Sequence, residues 1–256
     1  MIVKMKNQKL IIANWKMNPS TLEEAKQLFK LTADLAKNSP DAEVVICPPF
    51  IYLSNFQFLT SNLQLGAQDC FWENKGAYTG EISLLMLKNL GVQYVIIGHS
   101  ERRENLNETN DMINKKLKAC LKSGLKAVFC VGEKERNESQ SHFNFIKEEI
   151  ESGLKDISWR VFKNIVIAYE PIWAISATVG ASAMNPAELS TIVIFIRKVL
   201  FDLYKTKKIF DAPILYGGSV DAKNFQDFLN VEGVSGFLIG GASLNPKELS
   251  KILAKK

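Results

Sequence analysis

The 256-residue chain holds only four cysteines and two histidines, and Cys47, Cys70, Cys120 and Cys130 stand far apart, with no CxxC pair and no histidine beside them. That spacing argues against a bound metal and against a disulfide framework, and makes a reducing environment the default. No apolar stretch approaches the roughly 18 residues of a membrane span, and no apolar segment of a secretory leader follows Met1 to Lys9. Nor is there a basic run. The net charge of +5 comes from lysines scattered through helix-like segments, which reads as solvated faces rather than a nucleic-acid footprint. Linkers, internal repeats and low-complexity segments are also missing. A single domain over residues 1–256, in a cytoplasmic setting with neither nucleic acid nor membrane as partner, is therefore expected.

What the sequence does contain is eight short apolar runs: Leu10 to Ala13, Val44 to Ile46, Leu63 to Leu65, Tyr94 to Ile97, Ala127 to Val131, Ile165 to Ala168, Ile214 to Tyr216 and Phe237 to Ile239. They do not alternate polar with apolar, so both faces of each strand should be buried, as in a parallel sheet. Segments of helical period lie between them, for example Leu22, Ala25, Leu28, Phe29, Thr32, Leu35 and Ala36 on one face. Ser20 with Glu23 fits a capping box, and Asn185-Pro186-Ala187-Glu188 and Asn245-Pro246-Lys247-Glu248 each set a cap, a first-turn proline and a carboxylate in order. Gly91 and Gly124 mark helix ends. Eight βα units point to an α/β fold closed as one (β/α)8 barrel. An open dinucleotide-binding sheet would want GxGxxG after its first strand, and Asn14-Trp15-Lys16-Met17-Asn18 stands there instead.

A barrel places its chemistry where strands end. That rule selects Asn14 and Lys16 after the first run, His99 after the fourth, Glu170 after the sixth, Gly217-Gly218-Ser219 after the seventh and Gly240-Gly241 after the eighth. Glu170, fixed in extended backbone by Pro171, reads either as a general base or as a buried ion-pair member. His99 precedes what looks like the first turn of a helix, Ser100-Glu101-Arg102-Arg103, where N–H dipoles favour a neutral, hydrogen-bond-donating ring. The other histidine, His142, lies in a polar stretch expected to face solvent. Lys16 would offer positive charge to an anion, with Glu101 as the partner that holds it. Two glycine pairs after the last two strands expose N–H groups where such barrels bind phosphate.

Read together, Asn14-Trp15-Lys16-Met17-Asn18, Gly76-Ala-Tyr-Thr-Gly-Glu-Ile82, Ile97-Gly-His-Ser-Glu-Arg-Arg103, Ala168-Tyr-Glu-Pro-Ile-Trp-Ala174 and Tyr216-Gly-Gly-Ser-Val220 closely resemble triosephosphate isomerases, in the family's order and over nearly the whole chain. The resemblance implies a TIM barrel that interconverts dihydroxyacetone phosphate and glyceraldehyde 3-phosphate through an enediolate, with no metal or redox carrier. It implies that Glu170 moves the proton, that His99 polarises the carbonyl, and that Lys16 and Asn14 stabilise the oxyanion. Ser219, Gly240 and Gly241 would hold the phosphate, helped by Ser176 of a closing lid, Pro171 to Ala183. These enzymes are a standard worked case of a tuned base, a neutral histidine and a gated site, so the roles are the family's.

The resemblance also implies a homodimer, with Thr79 on the loop Cys70 to Gly80 reaching the neighbour's mouth. Two departures stand out. Ser176-Ala177-Thr178-Val179-Gly180 replaces the family's Gly-Thr-Gly-Lys, and the lid is longer by about three residues. Asp69 stands where the family usually has asparagine, and this carboxylate would weaken or re-pair the contact. A phosphate-binding barrel without turnover and an isomerase of another sugar phosphate are the alternative readings.

Overall fold

A run that is apolar at every position makes a stable strand only if both of its faces are covered. A computed structural model describes residues 8–56, 62–136, 141–175 and 184–254, and each of the eight runs forms a strand, the third with the single polar residue Gln64. They are β1 (Lys9–Asn14), β2 (Ala42–Cys47), β3 (Leu63–Ala67), β4 (Val92–Ile97), β5 (Lys126–Val131), β6 (Ile165–Tyr169), β7 (Ile214–Tyr216) and β8 (Val234–Ile239). Neighbours pair in parallel in sequence order. β8 pairs back onto β1, with Leu10 opposite Gly236 and Ala13 opposite Ile239, so the sheet closes as a barrel without an edge.

Alternation along the strands sorts the apolar side chains into two layers. Leu10, Ile12, Val45, Ile96, Val128, Val166 and Leu238 fill the barrel interior, while Ile11, Ala13, Val44, Ile46 and Ile97 lie in a second core beneath the helices. Each such side chain taken out of water stabilises the fold by about 1.5–3 kcal/mol, which is why the runs, Gln64 of the third apart, carry no polar positions to betray their period.

The helices are α1 (Leu22–Lys37), α2 (Leu84–Asn89), α3 (Ser100–Asn105), α4 (Asn110–Ser123), α5 (Ser141–Gly153), α6 (Pro186–Tyr204), α7 (Phe225–Leu229) and α8 (Pro246–Leu253). They are not dealt out evenly. The β4–β5 connection carries both α3 and α4, and between β2 and β3 the described residues hold only a 3-10 turn, Phe50–Asn55. None of these helices is long and apolar enough to cross a membrane.

Asn185 caps α6 and Asn245 caps α8, each with proline in the first turn, and Gly91 and Gly124 follow α2 and α4 at positive φ. The first cap falls one residue later than expected. The chain holds two overlapping S/T-x-x-E patterns, and the box is made by Thr21 with Glu24, not by Ser20 with Glu23. That register turns Ala25, Leu28, Phe29, Thr32 and Ala36 inward.

The solvent-facing reading of His142 is also overturned. His142 is 9 % exposed on the inner face of α5, with its ring 4.2 Å from that of Phe143, and burial lowers its pKa. Positions 142, 146, 149, 150 and 153 recur with helical period on that buried face. The polar neighbours in sequence belong to the other faces.

Candidate active site

The carboxyl ends of the strands converge on one rim, where Asn14, Lys16, His99, Glu170, Ser219, Gly240 and Gly241 line a common cavity of about 480 Å³, counting the part open to solvent. That is enough for a small ligand. Each residue is held by its local structure.

Asn14 ends β1, and its Oδ1 accepts from the Lys16 N–H at 3.0 Å. Lys16 has φ of +53°, a conformation that costs a residue other than glycine on the order of 1–3 kcal/mol and persists only where its surroundings impose it. Gln68 imposes it from the other side, donating its amide to Lys16 O at 2.8 Å and to Cys47 O at 2.9 Å. The Lys16 ammonium pairs with Glu101, and its stem lies so close to Gly240 that a Cβ there would sit 3.0 Å from Cε.

His99 caps α3, its Nδ1 accepting from the Glu101 N–H at 3.2 Å. A ring nitrogen that accepts carries no proton, so the proton sits on Nε2, which lies 3.0 Å from Glu170 Oε1. Glu170 follows β6 and is 3 % exposed, with Oε2 accepting from the Ser100 N–H at 3.0 Å. One short helix thus supplies the histidine, the N–H that holds the glutamate, and the carboxylate that holds Lys16.

Ser219 stands on the cavity wall, but its N–H is spent on Ala174 O at 3.2 Å. Ser176 lies outside the described residues, as does the rest of the expected lid from 176 to 183; Ile175, just before it, lines the cavity. Thr79 is exposed and is not part of this cavity.

The strand-end rule stopped short of β5. Gly132-Glu133 follows that strand, and Glu133, 1 % exposed, grips a residue on either side of Glu170, Tyr169 just before it and Trp173 three positions after. Its Oε1 accepts from Tyr169 Oη at 2.9 Å and from Trp173 Nε1 at 2.8 Å, and Arg136 pairs with it at 3.0 Å while covering the Trp173 ring. The same rule that picked out Glu170 points to Glu133.

Asp69 is re-paired within its own chain. It is 4 % exposed, with its oxygens 2.7 and 2.8 Å from Lys116 Nζ and 2.8 Å from Arg102 Nη2. Arg102 and Lys116 also share Glu108, at 2.9 and 2.7 Å, so two cations and two carboxylates close a ring against α3 in which Arg102 alone is part-exposed.

Gly132 stands where no side chain fits, since a Cβ there would come 1.9 Å from the Glu170 carbonyl oxygen. Gly132→Ala is expected to force β5 and β6 apart at the rim and to cost roughly 1–3 kcal/mol of stability, with a fall in turnover, as overpacking does elsewhere. Thermal unfolding and kcat measured on one preparation check this; an alanine variant matching wild type in both would show that the contact yields freely.

A family model described as triosephosphate isomerase matches residues 9–256. Triosephosphate isomerases of Dictyoglomus turgidum and Dictyoglomus thermophilum are each 43 % identical over 249 residues, 96 % of this chain and 98 % of theirs. That of Aquifex aeolicus is 39 % identical over the same shares. With the family model spanning nearly its full length and relatives well above 30 % identity, this chain belongs to the triosephosphate isomerase family.

Proposed function

We propose that Glu170 is the proton carrier in the isomerisation, and that His99, Lys16 and Asn14 stabilise the oxygen charge that develops beside it. The chain interconverts dihydroxyacetone phosphate and glyceraldehyde 3-phosphate. The observation that carries the assignment is the 3.0 Å approach of Glu170 Oε1 to His99 Nε2 at the cavity floor. A substrate carbonyl entering there takes over the Nε2–H. Glu170, turned away from the Ser100 N–H, removes the proton from one carbon, leaves an enediolate, and returns the proton to the adjacent carbon. The missing side chain at Gly217 leaves room for that turn, since a Cβ would lie 2.9 Å from Glu170 Cγ.

Charge forming on the two oxygens meets the His99 proton, the Lys16 ammonium and the Asn14 amide, with Glu101 holding Lys16 in place. The phosphate lies on the N–H groups of Gly240 and Gly241. Ser219 joins them once its N–H leaves Ala174, and Ser176 would complete the contact from the lid.

The protein acts as a homodimer in the cytoplasm. Support for the dimer comes from Met17, 93 % exposed beside the site, and from Tyr78, Leu85 and Met86 on the segments that follow β3, all costly to leave in water. Thr79, exposed on the same loop, would reach the neighbour's mouth.

Steady-state turnover of both triose phosphates tests the function, and a folded sample that binds phosphoglycolate without turnover, or prefers a five-carbon phosphate, would sink it. Sedimentation at micromolar concentration should give twice the chain mass of 28.7 kDa; a monomer that retains full activity would refute the assembly.

A further inference from the structure

We propose that Glu149, on the outer helix α5, is a positioning residue for the proton transfer: paired with Arg103, it fixes the spacing between the β4 end that carries His99 and the β5 and β6 ends that carry Glu170. The proposal rests on the roles given to His99 and Glu170 above.

The bonds can be followed from one reacting group to the other. Arg103 donates Nε to Gly98 O at 2.8 Å, which is the carbonyl of the peptide leading into His99. Its Nη2 reaches Cys130 O of β5 at 3.2 Å, and its Nη1 reaches Asn110 Oδ1 at 2.7 Å. The same Nη1 lies 3.0 Å from Glu149 Oε1. The other oxygen, Glu149 Oε2, accepts from the Gly132 N–H at 2.8 Å. Gly132 is the residue pressed against the Glu170 backbone, and the Glu170 N–H donates at 2.8 Å to Val131 O next to it. The guanidinium and carboxylate are the charged link in a path from the His99 peptide to the Glu170 peptide.

Stability does not account for that link. Glu149 is 3 % exposed and Arg103 nearly as sheltered, and removing two such ions from water costs about as much as their attraction returns. What a paired, fully bonded guanidinium does supply is direction. It sets three strand-end groups at fixed distances, and proton transfer falls steeply when reacting groups shift by fractions of an ångström.

Several charged groups face Glu149: Arg103 from α3, Glu133 after β5, and Glu170 after β6. Burial first, and then the charges of Glu170 and Glu133, push its carboxyl up to about 7 against the pull of Arg103 and the Gly132 N–H. Below that pH one Glu149 oxygen becomes a donor, and the carboxyl no longer accepts from both Gly132 and Arg103. Glu149→Gln imitates this protonated state.

The test compares Glu149→Gln and Arg103→Lys with the wild type in kcat, KM and pH profile. Misplacement of a few tenths of an ångström is expected to lower kcat about tenfold in both variants while KM moves less than roughly twofold. The wild-type kcat should step down as pH falls through the neutral range, towards the level of Glu149→Gln, and that variant should lack the step. A folded variant with wild-type kcat and profile overturns the proposal. So does a loss of kcat with the step intact, which would mark a merely structural residue. If Glu149→Gln does not fold, Arg103→Lys, which keeps the charge but cannot serve all four acceptors, decides by the same readings. Failure of the base assignment would show separately, as turnover surviving in Glu170→Ala.

Discussion

Glu170→Ala is expected to lose turnover by roughly a thousandfold, within the hundredfold to ten-thousandfold range that a positioned base contributes, while KM changes only a few-fold. The split follows from the geometry. The carboxylate is buried in the cavity wall, bonded to His99 and to the Ser100 N–H, whereas Gly240 and Gly241, the pair proposed to meet the phosphate, belong to a different strand end of the same cavity. Truncation therefore removes an interaction realised in the transition state and leaves the anion contacts in place. Steady-state kinetics in both directions measure the loss, with competition by phosphoglycolate reporting binding independently. A variant with kcat within a few-fold of wild type would show that proton transfer runs through another group.

Lys116→Met should be the most damaging substitution away from the cavity, costing about 3–5 kcal/mol of stability at pH 8. Lys116 is 2 % exposed, and its ammonium serves both Asp69 and Glu108. Without it two buried carboxylates face each other with Arg102 alone between them. The penalty should also depend on pH, and its sign can be worked out.

Burial, with Glu108 adding to it, raises the Asp69 carboxyl to about 6 even while Lys116 and Arg102 pull the other way. A carboxyl whose folded pKa lies above its unfolded value of about 3.9 binds more protons folded than unfolded between the two, so stability falls as pH rises through that window. Removing the cation extends the window upward, and the difference between variant and wild type should grow from pH 5 to pH 8. Urea unfolding across that range checks both parts. A cost below about 1 kcal/mol, or one that shrinks with rising pH, would contradict this account of the ring.

Most of the fold could be read from the linear pattern because its determinants are local. All eight apolar runs became strands, the seventh with its expected bounds and the others longer by one to three residues at an end, and two of the three expected caps fell where Asn-Pro placed them. The errors came where two local readings were equally good. Ser20 and Thr21 offer overlapping boxes, and only the inward register of Ala25 and Phe29 chooses between them. His142 was misread because polar sequence neighbours say little about which face of a helix a residue occupies.

The rim was legible for the same reason. A strand end is a sequence position, and Asn14, Lys16, His99, Glu170, Gly240 and Gly241, all at or just after strand ends in the sequence, line one cavity in the structure.

What the sequence by itself determined, then, was the set of chemical groups presented at the mouth, because period and punctuation mark where strands stop. What only the tertiary structure decided was what holds those groups in place. Glu149 lies 50 residues from His99 and 21 from Glu170, with no local signal but a carboxylate on an apolar stripe, yet it closes the path between them through Arg103 and Gly132. Asp69 gained its meaning in the same way, from Lys116 and Arg102 on two different helices. The reason is physical. A buried charge is tolerable only beside its partner, and partners are chosen by packing between distant elements, which one-dimensional periodicity does not encode.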